Sequence, residues 1–93
     1  MANNRWTEKA QNALRLSYEA ASALGHNYVG SEHILLGLLG EKRGMASKIL
    51  LSYGVTGDAL TAAIVQAIGK GTPGVQPMGM TPHAKEIMEL AAA

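Results

Sequence analysis

The chain has 93 residues, a net charge of +1 at pH 7 and no cysteine, which leaves room for one domain with one modest core and excludes disulfides, thiolate metal sites and cysteine nucleophiles. Its hydrophobic fraction of 47% rests on Ala, Leu, Ile and Met rather than on aromatic residues, and this composition favours helices. Because the basic residues are scattered and neither a signal peptide nor a long apolar run is present, we expect a cytoplasmic protein that binds neither nucleic acid nor membrane.

The first two predicted helices lie on either side of a Gly-rich bend. Between Thr7 and Leu24, apolar and small residues recur every three or four positions, the spacing of an amphipathic helix. Thr7 is a candidate N-cap and Gly25 a candidate left-handed stop. Ser31 is the candidate cap of the second helix. The apolar face of that helix contains Ile34, Leu35, Leu38 and Leu39.

Two further helices and a linker follow. The third helix is expected at residues 45–52, with Met45, Ile49 and Leu50 buried. Thr56 opens the fourth helix, which ends at Gly69. One side of the fourth helix contains Leu60, Ile64, Ala67 and Ile68. Residues 70–80 are too rich in Gly and Pro to continue it and are predicted to be a linker.

A fifth helix is predicted to begin at Thr81, a cap followed by the favoured N1 proline, Pro82. Its apolar and small residues at helical spacing are Ala84, Ile87, Met88 and Ala91. We expect its apolar face, with Ile87, Met88 and Leu90, to lack a cover and to promote weak self-association.

The fifth helix repeats the first at an offset of 74 residues. The matched pairs are Thr7 and Thr81, Ala10 and Ala84, Leu14 and Met88, and Leu16 and Leu90. An all-helical repeat of this length implies two similar bundles packed together. The predicted fold is therefore all-α, with a four-helix first repeat at residues 1–69, a linker at 70–80 and the start of a second repeat at 81–93.

The segments RWTEKAQNAL, LGHNYVGSEHILLGLL and TPHAKEIMEL resemble the N-terminal double-repeat domain of Clp ATPases, closest to the ClpC type. The resemblance implies a mobile domain that docks MecA-like adaptors and substrate proteins for an unfoldase and its ClpP-like peptidase. Since that domain normally has eight helices, we expect this chain to be part of a longer protein. A structural or oligomerisation module without a ligand is the alternative, and an enzyme is the third reading.

An ATP site is not expected on this chain. A P-loop requires Gly, four residues, then Gly-Lys-Ser/Thr, whereas Gly69-Lys70 is followed by Gly71, and Ile64 stands where the first Gly belongs. The ATPase chemistry that the resemblance implies is expected on other segments of the longer protein. No cofactor is assigned to these residues.

Neither a metal site nor a catalytic set is expected. His26, His33 and His83 lack the spacing of ligands on one helix, since glycines separate the first two. His33 is expected to cap or pack at the start of its helix, and His26 to hydrogen-bond within the bend. No serine lies in a Gly-x-Ser-x-Gly motif.

Glu32 has two open interpretations. A carboxylate at a helix start is ordinarily a stabilising charge in the field of the helix N-terminus. The resemblance implies instead that Glu32 holds the guanidinium of a phosphoarginine, while the start of the first helix, with Arg5, Thr7 and the backbone of Glu8, receives the phosphate. Helix N-termini and arginine both suit phosphate.

The resemblance also implies a second site, of which only Thr81 is present. Gly79 stands where Arg5 stands in the first repeat, and the partner glutamate would lie beyond Ala93. Trp6 is interpreted as a hydrophobic staple rather than a ligand platform. Met78 and Met80 are interpreted as linker filler rather than as an adaptable binding strip.

Overall fold

The structure, a computed structural model, describes the backbone of residues 7–92 and the side chains of residues 7–90. It contains five helices: α1 (Glu8–Leu24), α2 (Ser31–Gly40), α3 (Met45–Ser52), α4 (Gly57–Ile68) and α5 (Pro82–Ala92). Within those residues the only β pairing is an isolated parallel bridge between Val29 and Met80. The all-α prediction is confirmed.

Three helices begin at the threonines that the sequence indicated. The hydroxyl oxygens of Thr7, Thr56 and Thr81 accept hydrogen bonds of 3.1, 3.2 and 3.1 Å from the backbone N–H three residues later. Each bond satisfies a donor that has no partner inside its helix. Gly25 ends α1 with φ of 76°, the left-handed conformation that favours glycine.

α1 and α2 form an antiparallel pair that organises the fold. At its centre Ser17 is fully buried and donates a 2.7 Å hydrogen bond to the carbonyl of Ala13. Gly37 of α2 packs directly on this turn of α1, leaving no room for a β-carbon. At one end of the pair, Asn12 Nδ2 donates to Glu41 Oε2 at 2.8 Å.

α5 completes the hydrophobic core. The core cluster consists of Ala10, Ala21, Val29, Ile34, Ala84 and Met88. The expectation that Met88 lacks a cover is wrong, because α5 packs against α1 and α2 and Met88 is fully buried. Ile87 is partly buried, and Leu90 is 74% exposed.

α3 turns a different face inward from the one predicted. Met45 and Ile49 are 70% and 49% exposed, and Leu50 is only partly buried. The buried residue of α3 is Ser47, whose hydroxyl donates to the Leu39 carbonyl at 2.9 Å. This bond satisfies a carbonyl near the end of α2 and directs the polar side of the short helix inward.

The segment at residues 70–80 follows the bend between α1 and α2 through backbone hydrogen bonds. Gly71 N–H donates to the Leu24 carbonyl at 2.9 Å, and Val29 N–H donates to the Gly79 carbonyl at 2.9 Å. Thr81 N–H returns to the Val29 carbonyl, also at 2.9 Å. These bonds bring the start of α5 beside the start of α2.

Among the described residues, no single helix has the length and apolar character needed to cross a membrane. Only α3 and α4 taken together, across an 81° bend, meet the test of length and composition.

Candidate functional site

The start of α2 is built around Gly30 and His33. Ser31 was predicted to cap this helix, but Gly30 is the N-cap and Ser31 is the first helical residue. His33 takes the capping role, because its Nδ1 accepts the Gly30 N–H at 2.9 Å. The expected capping role of His33 is thus confirmed. The arrangement places Glu32 in the first turn, with its side chain 36% exposed.

A cleft of about 370 Å³ opens beside this turn, and we call it the Glu32 cleft. Glu32 lines it together with Thr81 at the start of α5 and Lys70 just after α4. The cleft therefore combines a carboxylate, an ammonium group and a helix start, where backbone N–H groups favour anions. Its other lining residues are Gly25, His26, Asn27, Tyr28, Gly30, His33, Ile68 and Gly71.

An apolar groove of about 300 Å³ adjoins the Glu32 cleft on the α4 side. It is lined by Glu32, Ala63, Ile64, Ala67 and Ile68. Glu32 and Ile68 border both spaces, and Ile68 is 57% exposed. A charged group and an apolar neighbour could thus contact this surface together.

The start of α1 lies elsewhere. Thr7 borders a separate cleft of about 250 Å³, together with Glu41 and Met45. Glu32 lies nine residues before Glu41, the C-cap of α2, or about 13.5 Å along the helix axis at 1.5 Å per residue. The antiparallel packing therefore puts the start of α1 and Glu32, which were predicted to form one site, at opposite ends of the α1–α2 pair.

The remaining site residues are placed as follows. Glu8 is the first residue of α1 and is exposed. It borders a polar depression that includes Arg15 and Arg43. Arg5, and Trp6 with its predicted staple, lie outside the described residues.

Two histidines that are seven residues apart in sequence meet at the wall of the Glu32 cleft. His26 Nδ1 lies 2.7 Å from His33 Nε2, and His26 Nε2 lies 2.8 Å from the Gly69 carbonyl oxygen. His26 therefore hydrogen-bonds beyond the bend, to the end of α4. Burial lowers the pKa of His33; the Glu32 carboxylate raises this pKa and His26 lowers it. No group of three or more potential metal ligands occurs among the described residues.

Sequence reasoning missed two parts of this site. The sequence analysis considered Lys70 only as the lysine of a P-loop pattern that does not match, and Ile68 only as part of the apolar face of the fourth helix. Neither was connected to Glu32, because the proximity depends on the backbone bonds that bring residues 70–80 against the bend. The signal present in the sequence was Gly25, whose close backbone contact with Gly71 leaves no space for a side chain at either position.

The family model described as the Clp repeat (R) N-terminal domain matches residues 5–93. The chain is 44% identical over 91 residues to the chaperone protein ClpB of Oceanobacillus iheyensis, and 42% identical over 91 residues to the negative regulator of genetic competence ClpC/MecB of Bacillus subtilis. A ClpA homologue of Cyanidium caldarium, an ATP-dependent Clp protease ATP-binding subunit, is 47% identical over 88 residues.

These alignments cover 98%, 98% and 94% of the chain but only 11%, 11% and 10% of the three relatives. The chain thus spans about a tenth of the length of the curated relatives it matches. The matched region is the N-terminal module, which is non-catalytic, and relatives of the ClpA, ClpB and ClpC types all share it.

Proposed function

This chain belongs to the Clp repeat N-terminal domain family, and on that premise we propose that it is a protein-recognition domain that docks substrates and adaptors for a Clp-type ATPase. The observation that carries the proposal is the Glu32 cleft, in which Glu32, Lys70 and Thr81 lie around one opening. ATP is bound, in this proposal, by other parts of the longer protein. Unfolding and degradation are likewise properties of the whole assembly.

The proposed ligand is a phosphoarginine side chain on a substrate protein. Glu32 pairs with the guanidinium, because a carboxylate and a guanidinium form strong charge-assisted hydrogen bonds. The start of α5 and Lys70 receive the phosphate, because helix N-termini and ammonium groups attract anions. The apolar groove beside Ile68 accommodates a neighbouring apolar residue of the substrate.

We propose a different pairing for this site from the one that the resemblance implies. The repeat offset of 74 residues relates the start of α5 to the start of α1, and the start of α5 is the one beside Glu32. By the same relationship, Thr7, the backbone of Glu8 and Arg5 would form half of a second site, whose carboxylate would come from a second repeat beyond α5.

Finer assignments are also proposals. We propose a ClpC-type ATPase, MecA-like adaptors and a cytoplasmic location, with the EHILLG stretch around Glu32 as their support. Weak self-association would depend on exposed apolar residues such as Leu90, since Met88 is already buried within the chain. Residues 1–69 and 81–93 are proposed to belong to successive repeats.

Calorimetric titration with an arginine-phosphorylated peptide tests the proposal. We expect saturable binding, with an affinity tenfold to a hundredfold higher than for the unphosphorylated or serine-phosphorylated peptide, because losing a charged hydrogen bond costs about 1.5–3 kcal/mol. Glu32→Gln should abolish this preference, whereas Glu86→Gln, an equal charge change at an exposed residue of α5, should preserve it. Equal affinity for all three peptides would leave the structural alternative as the better account.

A further inference from the structure

A continuous row of hydrogen bonds crosses the wall of the Glu32 cleft. It runs from the Gly30 N–H to His33, from His33 to His26 and from His26 to the Gly69 carbonyl, with lengths of 2.9, 2.7 and 2.8 Å. We call it the histidine relay. It connects the start of α2, which bears Glu32, to the end of α4, from which Lys70 follows.

The two ends of the relay determine where every proton lies. Gly30 donates its N–H, so His33 Nδ1 must be an unprotonated acceptor and the ring proton lies on Nε2. His33 Nε2–H then donates to His26 Nδ1, which leaves the proton of His26 on Nε2. That proton is donated to Gly69. Both rings are therefore neutral Nε2–H tautomers, and all four groups are satisfied.

An additional proton breaks this row whichever ring receives it. On His33 Nδ1 it would oppose the Gly30 N–H, and on His26 Nδ1 it would oppose the proton of His33 Nε2. The ring of His33 has no room to rotate freely, because His33 is 1% exposed and meets the ring of His26 edge to face, with centroids 4.9 Å apart. Protonation therefore disrupts at least one of the hydrogen bonds that the relay consists of.

Of the charges around the relay, some favour protonation of its histidines and others oppose it. Glu32 Oε2 lies 3.7 Å from His33 Nδ1 and favours the protonated ring, whereas Lys70 faces the same cleft with positive charge. Tyr28 is the remaining titratable residue that lines the cleft. The other helices bring only uncharged residues to the lining: Gly25 follows α1, Ile68 belongs to α4, and Thr81 precedes α5. Burial of His33 opposes protonation and lowers its pKa.

We propose that the histidine relay positions Glu32 against Lys70 and the start of α5, and that the cleft binds its ligand only while both histidines are neutral. Acidification then releases the end of α4 from the start of α2 and weakens docking. The effect on docking rests on the proposed function, but the relay itself does not. His26 and His33 act through Glu32 and are positioning residues.

Imidazole ¹⁵N NMR of the ligand-free chain tests the relay directly. We expect both His26 and His33 to show the Nε2–H tautomer near neutral pH, and the Gly30 amide resonance to move in the same transition in which His33 takes up a proton. A Nδ1–H tautomer for either ring, or a Gly30 amide resonance that does not respond when His33 is protonated, would contradict the relay.

Docking is tested by comparing wild type with His33→Gln. Glutamine suits the N3 position of a capping box, so it retains the acceptor for Gly30 but does not titrate. With phosphoarginine as the probe, the ratio of the two affinities cancels the protonation of the ligand. We expect the affinity of His33→Gln, divided by that of wild type, to be near one at about pH 7.5. Below the pKa of the relay this ratio should rise by about tenfold per pH unit, the slope for one excluded proton.

Two further variants complete the design. His83→Gln should retain the wild-type pH profile. If His33→Gln loses its helical circular dichroism, His26→Gln serves instead, since its amide both accepts from His33 and donates to Gly69; its profile should have a shifted midpoint. Identical pH profiles in wild type and both relay variants would overturn the proposal. Failure of phosphoarginine to bind at any pH would overturn the proposed ligand and its regulation, while the ligand-free NMR result would still decide the relay.

Discussion

The side chain of Ser17 occupies the space that a β-carbon on Gly37 would need. This contact allows the backbones of α1 and α2 to approach closely. Gly37→Ala should therefore lower the free energy of unfolding by about 1–3 kcal/mol through overpacking. Gly57→Ala is the matched control, because a β-carbon there meets no atom within 4 Å, and it should be neutral or slightly stabilising. Urea denaturation measures both, and equal stabilities would contradict the packing described.

The contact between Gly25 and Gly71 is tested by comparing alanine substitutions at Gly25 and at Gly54. Gly25→Ala and Gly54→Ala both place a β-carbon at positive φ, +76° and +81°, which costs about 1–2 kcal/mol in each case. Only the β-carbon at position 25 would also strike the backbone of residues 71 and 72. We expect Gly25→Ala to cost at least about 1 kcal/mol more in thermal or urea unfolding. Equal losses would show that residues 70–72 do not pack on the bend.

Glu41 makes the stability of the fold sensitive to acid. Hydrogen bonds from Arg43, then from Asn12, lower the pKa of Glu41 from 4.5 to about 2. Between those values the unfolded chain binds more protons than the folded one, so the contribution of Glu41 is complete above pH 4.5 and is lost as the pH falls towards 2. Urea denaturation across this range should show a smaller pH dependence for Glu41→Gln than for wild type. Identical curves for wild type and Glu41→Gln would refute the assignment.

Alanine substitutions of Thr7 and Thr81 distinguish a role in helix capping from a role in ligand binding. Both hydroxyls cap their helices through equal bonds of 3.1 Å, so Thr7→Ala and Thr81→Ala should each cost about 1 kcal/mol of stability. Only Thr81 lies in the Glu32 cleft, so only Thr81→Ala should weaken the binding of an arginine-phosphorylated peptide. The reverse order of affinities, measured by calorimetry, would restore the pairing of Glu32 with the start of α1.

Local signals made most of the helix boundaries predictable. Threonine before an apolar period identified three N-caps, and Gly25 identified the end of α1, because these preferences depend only on neighbouring residues. For α2 the capping role of His33 was expected, but the N-cap itself was misplaced by one residue, because Gly30 rather than Ser31 precedes the helix and its N–H is satisfied by the His33 ring. The apolar pattern of α3 predicted the wrong buried face, because the hydroxyl of Ser47 hydrogen-bonds to the carbonyl of Leu39, which lies in another helix.

The candidate site was predictable in its residue types but not in its assembly. The resemblance indicated Glu32 and the helix starts at Thr7 and Thr81, but sequence alone does not say which start lies beside Glu32. The antiparallel packing of α1 on α2 and the bonds of residues 71–81 to the bend decide that question. Both are long-range backbone contacts, and a periodic pattern carries no information about them.

In the proposed function, the Glu32 cleft, between the starts of α2 and α5, binds a phosphorylated guanidinium. Backbone amide NMR titration with phosphoarginine is the decisive experiment. We expect saturable shifts at residues 30–33, 70–71 and 81–84 that disappear in Glu32→Gln and persist in Glu86→Gln. Shifts confined to residues 7–10 and 44–46, around the start of α1, or a spectrum unchanged by the ligand, would contradict it.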